Sequence, residues 1–484
     1  MKTDLIYVLR TRWIQVTLLA SLFFRLIFHF FYLPDRPSEF GPDEGTYGFL
    51  AGYVENGLPV DEFPGFGAGL YNSSRSLILP SSALIRLGFS ELDAVRAVAS
   101  LYGILSSILF ILCLVAILRT ITPEVQPRDY GLAVVLPVLL FTFLPSNFLW
   151  STLGLRESTS QFWLISAFYF LFKLYFSRSM VLFVYLCLAS LSLIFAFGAR
   201  KETALVFAFS AFISGLYVAI RKRNATLVAA VALGVLGGQM FIATPQVKAS
   251  EIYFLTPLDE FQSKSPTPTQ SVESKSPTPK IKAPAGVCKS NYLKVIVQSQ
   301  EYFCIKEIEN KRVVENPIRS ITNQVAAVQN LEEARNIRSI DAQSALPESD
   351  CKSYESAIQT TIMCNVKELP YRLSSFLFRP FPFLDSGSTT FNLAGIENIL
   401  WLLLFLSVFY LSFSTRVTNV ERFVISSLTF YLMSFSVLAS LYEGNLGTAF
   451  RHKSSILWPL VIILATLLLH KRRVSNYESQ SVVR

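Results

Sequence analysis

Long apolar runs alternate with short polar segments rich in Lys and Arg along most of this chain. A helix crossing a bilayer needs about 20 mainly apolar residues. Runs of that kind predict spans at 13–33, 94–118, 131–150, 157–176, 180–198, 203–220, 225–243, 393–414, 421–441 and 454–470. The apolar stretch Ser76–Phe89 is too short to cross and is expected as an interfacial or re-entrant helix. The predicted fold is an all-α polytopic membrane protein of about ten transmembrane helices, with a small extracytoplasmic domain inserted between helices 7 and 8. This gives an N-terminal transmembrane module over 1–243, with its first outer loop at 34–93, and a linker over 244–284. A loop domain over 285–390, a C-terminal transmembrane module over 391–470 and a cytoplasmic tail over 471–484 complete the chain.

Short loops rich in Lys and Arg stay in the cytoplasm. An inside N-terminus places Arg10 with Arg12, Arg119 with Arg128, Lys173 with Arg178, Arg221 to Arg223, Arg416 with Arg422, and Lys471 to Arg473 all inside. The expected localisation is the inner (plasma) membrane, multi-pass, with both termini cytoplasmic. The first apolar run is long and no small-residue cleavage site follows it, so it is expected as a retained helix rather than a signal peptide.

Composition supports this reading. The chain is 52% hydrophobic and only 16% charged, against about 25% charged in soluble domains. The net charge of +9 does not indicate a nucleic-acid partner, because many basic residues are dispersed in the short loops.

The polar segment 244–390 opens with SKSPTP twice, at Ser263–Pro268 and Ser274–Pro279, which favours an extended linker. Beyond it, residues 285 to about 370 are expected to fold, with a helix near Asn316–Ala334. Cys288, Cys304, Cys351 and Cys364 suggest two disulfides with three connectivities; the local pairing 288–304 and 351–364 is preferred. A zinc site is the competing reading, but the segment lacks CxxC spacing and has no His. Cys113 and Cys187 lie in predicted spans as packing residues.

Several charges fall on the side that should be poor in them: Arg36, Arg75, Arg86, Arg156, Arg200 with Lys201, and Arg451 with Lys453. Three groups adjoin an acid, as Arg156-Glu157, Lys201-Glu202 and Glu443 ahead of Arg451. Charges at such helix ends invite a functional reading; structural ion pairs or hydrated interface residues are the alternative. Arg25, within the first span, is expected to snorkel to the interface.

After the first span comes Phe40-Gly41-Pro42-Asp43-Glu44-Gly45-Thr46-Tyr47. Proline at the first helical position and acids in the first turn mark a helix start. An acid pair in the first outer loop, a following Tyr and an interfacial helix before the second span resemble the GT-C superfamily. These are membrane glycosyltransferases using polyprenyl-phosphate-linked sugars, and they include protein O-mannosyltransferases and aminoarabinose transferases. The likeness is best over residues 13–120. Pro145-Ser146 with Leu155-Arg156-Glu157, Arg200-Lys201-Glu202, and the segment from Glu443 to Arg451-His452-Lys453 resemble, more loosely, bacterial exopolysaccharide-cluster members. Leu79-Pro80-Ser81-Ser82 stands where the family often has Pro-Pro-aromatic.

The resemblance implies transfer of a sugar from a polyprenyl-phosphate donor to a glycan, lipid or protein acceptor on the extracytoplasmic face. It assigns Asp43 as the base, with Glu44 assisting. Phosphate stabilisation calls for cations, and the candidates are Arg75, Arg156, Arg200, Lys201, Arg451, His452 and Lys453. Tyr47 is a candidate for stacking on a sugar, and Glu157, Glu202 and Glu443 for holding the cations. No cofactor is assigned; some members use a divalent metal, which the acid pair alone does not establish here. The alternatives are an exopolysaccharide or O-antigen-type polymerase or ligase, a lipid or polysaccharide transporter, and a non-catalytic scaffold subunit.

Overall fold

The computed structural model describes residues 11–32, 42–58, 60, 67–122, 132–176, 181–222, 292–297, 301–306, 358–381, 389–414, 418–442 and 446–482. The described chain is helical apart from one antiparallel hairpin, β1 (Tyr292–Val297) and β2 (Glu301–Lys306), in which Tyr292 pairs with Lys306 and Val297 with Glu301. Two compact units are present, one comprising Met1–Ala249 with Leu331–Arg484, the other Ser250–Asn330. The hairpin belongs to the second. The helix at 358–378 packs with the helical unit.

The helical unit begins with α1 (Arg12–Ile27), which continues as a π-helix over Phe28–Tyr32, then α2 (Pro42–Glu55), α3 (Gly67–Asn72) and α4 (Arg75–Arg86). Next come α5 (Glu91–Ile121), α6 (Leu132–Phe143), α7 (Pro145–Trp150), α8 (Glu157–Phe176), α9 (Leu182–Phe197) and α10 (Lys201–Lys222). After the second unit follow α11 (Ile358–Phe378), α12 (Thr389–Ser414), α13 (Asn419–Tyr442) and α14 (Leu446–Val482). Among the described residues, five helices are long and apolar enough to cross a membrane: Arg12–Phe30, Glu91–Ile121, Asn392–Phe413, Val420–Leu441 and Gly447–Arg472. Ala133–Phe143 and Leu182–Phe197 are shorter apolar helices. These helices point to a membrane protein.

The start of α5 is set by Ser90, whose hydroxyl accepts from the Asp93 amide at 3.2 Å, a standard N-terminal cap. The run expected as one span over 131–150 is instead broken at Leu144, which is extended at φ −57°, ψ 125° ahead of Pro145. The pyrrolidine ring disfavours the helical conformation in the preceding residue and starts a new helix on its own account. The apolar run therefore becomes α6 and the short α7. The residues expected as the seventh span, 225–243, lie outside the described residues.

Helix α14 is the axis of the bundle, in contact with α5, α6, α7, α8, α11, α12 and α13. Its residues from Ile456 to Ala465 are buried on every side, as expected of a helix apolar all round. Trp458 packs against the rings of Phe168, Phe207 and Tyr431. In contrast, α1 leaves Val16, Leu19, Phe23 and Phe30 exposed, and α12 leaves Leu393, Ile396, Phe409 and Phe413 exposed. Apolar surface of that extent suits contact with lipid.

A smaller apolar cluster joins α2, α4, α5 and the turn 151–156, with Tyr47, Leu50, Leu77, Val95 and Leu155 at its centre. A Cβ at Gly154 would lie 2.6 Å from Val95 Cγ2, so only glycine lets this turn approach α5 so closely. The expected short helix at Ser76–Phe89 is α4. It buries Leu77 and Ile78 and exposes Leu79, and its start is held by Ser76 N–H donating to Gly198 O at 3.2 Å.

Candidate functional site

Pro42 opens α2, and the two acids occupy its first turn, where the helix dipole favours negative charge. Successive helical side chains diverge by about 100°, and here the two carboxylates have different fates. Asp43 keeps 49% of its side chain exposed. Glu44 is fully buried and receives a bidentate guanidinium from Arg96 of α5, Nε–Oε1 3.3 Å and Nη2–Oε2 3.0 Å. The Gly154 amide donates to Glu44 Oε1 as well, at 2.5 Å. Glu44, expected to assist Asp43 in catalysis, is thus engaged as a brace between α2, α5 and the turn 151–156. Arg96 lies inside a predicted span, and the sequence reading gave it no role.

Asp43 faces Arg451 near the start of α14, with Arg451 Nη1 2.8 Å from Asp43 Oδ2. Arg451 Nε is 2.9 Å from Glu157 Oε1 at the start of α8, and Arg200 Nη1 is 3.3 Å from the same oxygen. Arg200 Nη2 in turn meets His452 Nε2. A continuous chain of ionisable side chains therefore runs Asp43–Arg451–Glu157–Arg200–His452, drawn from α2, α14, α8 and the junction of α9 with α10. Only Asp43, and 15% of the Arg451 side chain, reach the surface appreciably. The core of this chain is not fully satisfied. Glu157 Oε2 and Arg156 Nε are buried without a hydrogen-bond partner among the described residues, and the contacts of Glu157 Oε1 with Arg451 Nε and Arg200 Nη1 are ion pairs that lack hydrogen-bond geometry.

Arg156 lies beside this chain and donates from Nη1 to Ser73 Oγ at 3.1 Å. Burial disfavours its charge, but the field of Tyr47, Glu202 and Glu157 outweighs this and raises its pKa, so it stays protonated. The segment that carries it is pinned repeatedly. The Ser146 amide donates to Glu397 at 2.7 Å, Ser151 Oγ accepts from Arg25 at 2.7 Å, and the Gly154 amide is held by Glu44. Arg25, expected to snorkel, is instead only 2% exposed, with its guanidinium 4.9 Å over the Phe148 ring and a further bond to Ser21. The Ser hydroxyls and an aromatic face replace water for that charge.

The remaining expected residues are distributed as follows. Lys453 does not join Arg451. Two residues along a helix turn its direction by about 200°, and its ammonium donates to Arg379 O at 2.6 Å and Asn398 Oδ1 at 2.8 Å, completely buried. Tyr47 is 3% exposed within the small apolar cluster, where burial raises its phenol pKa; it is a packing residue rather than a stacking platform. Lys201 and Glu202 lie half-buried at the start of α10, and burial lowers the Lys201 ammonium pKa. Arg75 is half-buried at the start of α4, and Arg86 is 3.8 Å from Glu55. Glu443, Cys288 and Cys351, and the side chains of Cys304 and Cys364, lie outside the described residues, as do 316–334.

The arrangement places a half-exposed carboxylate against a compact set of arginines, with one buried carboxylate holding two of them together. Such a set can receive an anionic oxygen and a proton at adjoining points. Among the described residues, no group of three or more His, Cys, Asp or Glu side chains converges to hold a metal ion. A small apolar cleft lies elsewhere, lined by Phe168, Tyr175, Phe207, Phe423 and neighbours. Compared with family models, curated proteins and solved structures, the chain matches none.

Proposed function

We propose that this protein is an integral membrane glycosyltransferase that moves a sugar from a polyprenyl-phosphate donor to a glycan, lipid or protein acceptor on the extracytoplasmic side. The observation that carries the reading is the Asp43–Arg451–Glu157–Arg200 chain, which gathers four distant segments around one half-exposed acid. A multi-pass arrangement of about ten spans in the inner membrane, with both termini cytoplasmic, puts this chain in the leaflet that holds the lipid-linked donor. The helix directions support it. Asp43, Glu157, Arg200 and Arg451 meet at one end, and His470, Glu421 and Tyr175 with Phe423 mark the other.

In this mechanism the donor phosphate takes Arg451 and Arg156 as partners and draws Arg451 from Asp43. The freed carboxylate accepts the proton of the acceptor hydroxyl as that oxygen attacks the anomeric carbon. The bond from the anomeric carbon to phosphate oxygen breaks, and the phosphate leaves with the electron pair, its growing charge met by the guanidinium groups. Glu157 keeps Arg451 and Arg200 together and lowers the repulsion between them.

Purified protein in liposomes, given a radiolabelled polyprenyl-phosphate sugar and membrane acceptors, tests this. Label is expected in the acceptor with the wild type and at background with Arg451→Ala. Chain lengthening from a lipid-linked repeat unit, without transfer of single sugars, would contradict the reading and favour a polymerase.

A further inference from the structure

On the other side of the first buried turn of α14 lies a second polar cluster that the proposed chemistry does not use. Lys453 Nζ donates to Arg379 O and Asn398 Oδ1, and lies 5.1 Å from the Phe450 ring centroid. Asn398 Nδ2 donates to Pro380 O at 2.7 Å. The neighbouring Glu397, 3% exposed, accepts from the Ser146 amide at 2.7 Å, from Ser146 Oγ at 2.5 Å and from Trp401 Nε1 at 3.0 Å. Gln161 Nε2 donates to Asn147 Oδ1 at 3.0 Å and to Ser454 O at 3.1 Å. These bonds join α7, α8, α12, α14 and the segment after α11 at one level of the bundle.

We infer that Lys453, Glu397 and Asn398 are positioning residues, forming a clamp that sets where the first turn of α14 lies and so holds Arg451 opposite Asp43 and Glu157. The inference rests on the reading that Arg451 serves the proposed site. Three features carry it. Lys453 is two residues from Arg451 on the same helix and faces away from it, and the clamp's hydrogen bonds described above reach none of Asp43, Arg451, Glu157 and Arg200. Every buried side-chain nitrogen and oxygen of Lys453, Glu397, Asn398, Ser146 and Trp401 has a hydrogen-bond partner, which restricts α14 to one position. The clamp also grips Ser146, in the same segment that leads to Arg156 and Glu157. Both sides of the site are therefore referred to one anchor.

The test reads position without relying on sugar transfer. Cysteine pairs are introduced at 43 with 451 and, as a control, at 55 with 86, where Glu55 and Arg86 stand 3.8 Å apart. Short bifunctional reagents then report each pair by mass spectrometry in the full chain. Lys453→Met is expected to lower the 43–451 cross-link several-fold and leave 55–86 intact. Asn398→Leu, which removes no charge, is expected to lower it less. In the transfer assay, Lys453→Met without the cysteines should reduce the rate about 10- to 100-fold, as for a misplacement near 1 Å. An unchanged 43–451 yield in both variants would overturn the inference. A fall of both cross-links in Asn398→Leu would overturn it too, since that is general unfolding and not local positioning. If the wild type transfers no sugar, the proposed function fails while the cross-links still decide the clamp.

Discussion

Two buried polar clusters flank the first turns of α14, and they differ in how completely they are satisfied. In Lys453, Glu397 and Asn398, every buried side-chain nitrogen and oxygen has a hydrogen-bond partner. Around Glu157, Arg451 and Arg200, the charges are within ion-pair distance, yet both Glu157 oxygens, Arg451 Nε, Arg200 Nη1 and nearby Arg156 Nε have no hydrogen-bond partner among the described residues. A buried polar atom without a hydrogen-bond partner is costly, so Glu157 Oε2 and Arg156 Nε, beside three atoms held only by ion pairing, leave capacity for a ligand. The closed cluster has none. The difference separates a structural anchor from a candidate site within one turn of one helix, although Arg451 and Lys453 are two residues apart and alike in charge.

Substitutions can break or sharpen that contrast. The largest effect is expected for Asp43→Asn, which keeps the size of the side chain and removes its basicity. Transfer should fall about 10²- to 10⁴-fold, the usual range for losing a general base, as read by label incorporation. Arg451→Met comes next, with a fall of about 10²- to 10³-fold for loss of a charge stabiliser. It should also weaken donor binding, measured by quenching or filtration. Glu44→Gln acts elsewhere. It leaves Arg96 buried without its counter-charge, so the expected cost is about 3–5 kcal/mol of stability, read as a lower unfolding midpoint in detergent. The smallest effect is predicted for Tyr47→Phe. The Tyr47 ring is packed among apolar residues, so transfer should stay within about twofold, a change worth less than the 1.4 kcal/mol that corresponds to tenfold.

The helical, apolar character of the fold was legible from the lengths of the apolar runs, and the reason is local. Pro42 with its two acids marks the start of α2. The break between α6 and α7 was hidden because 131–150 is apolar on both sides of Leu144-Pro145. The candidate site was legible as a set of residues but not as pairings. Nothing near Glu44 in the sequence announces Arg96, which comes from the next long helix. Arg451, His452 and Lys453 read as one basic patch, whereas helical geometry spreads them over different sides of α14. Arg25 shows the same limit. Its hydrophobic setting suggested an escape to the interface, and only the fold brings Ser151 and the Phe148 ring to it.

The central claim is that the two adjacent carboxylates differ in kind, Asp43 acting on the substrate and Glu44 on the fold. The most direct measurement compares donor binding and single-turnover transfer for the wild type and Asp43→Asn, on protein shown to be folded by its unfolding midpoint. The account predicts that Asp43→Asn binds the polyprenyl-phosphate sugar about as well as the wild type and unfolds at the same midpoint, yet transfers almost none of it. Transfer at the wild-type rate by Asp43→Asn would contradict it.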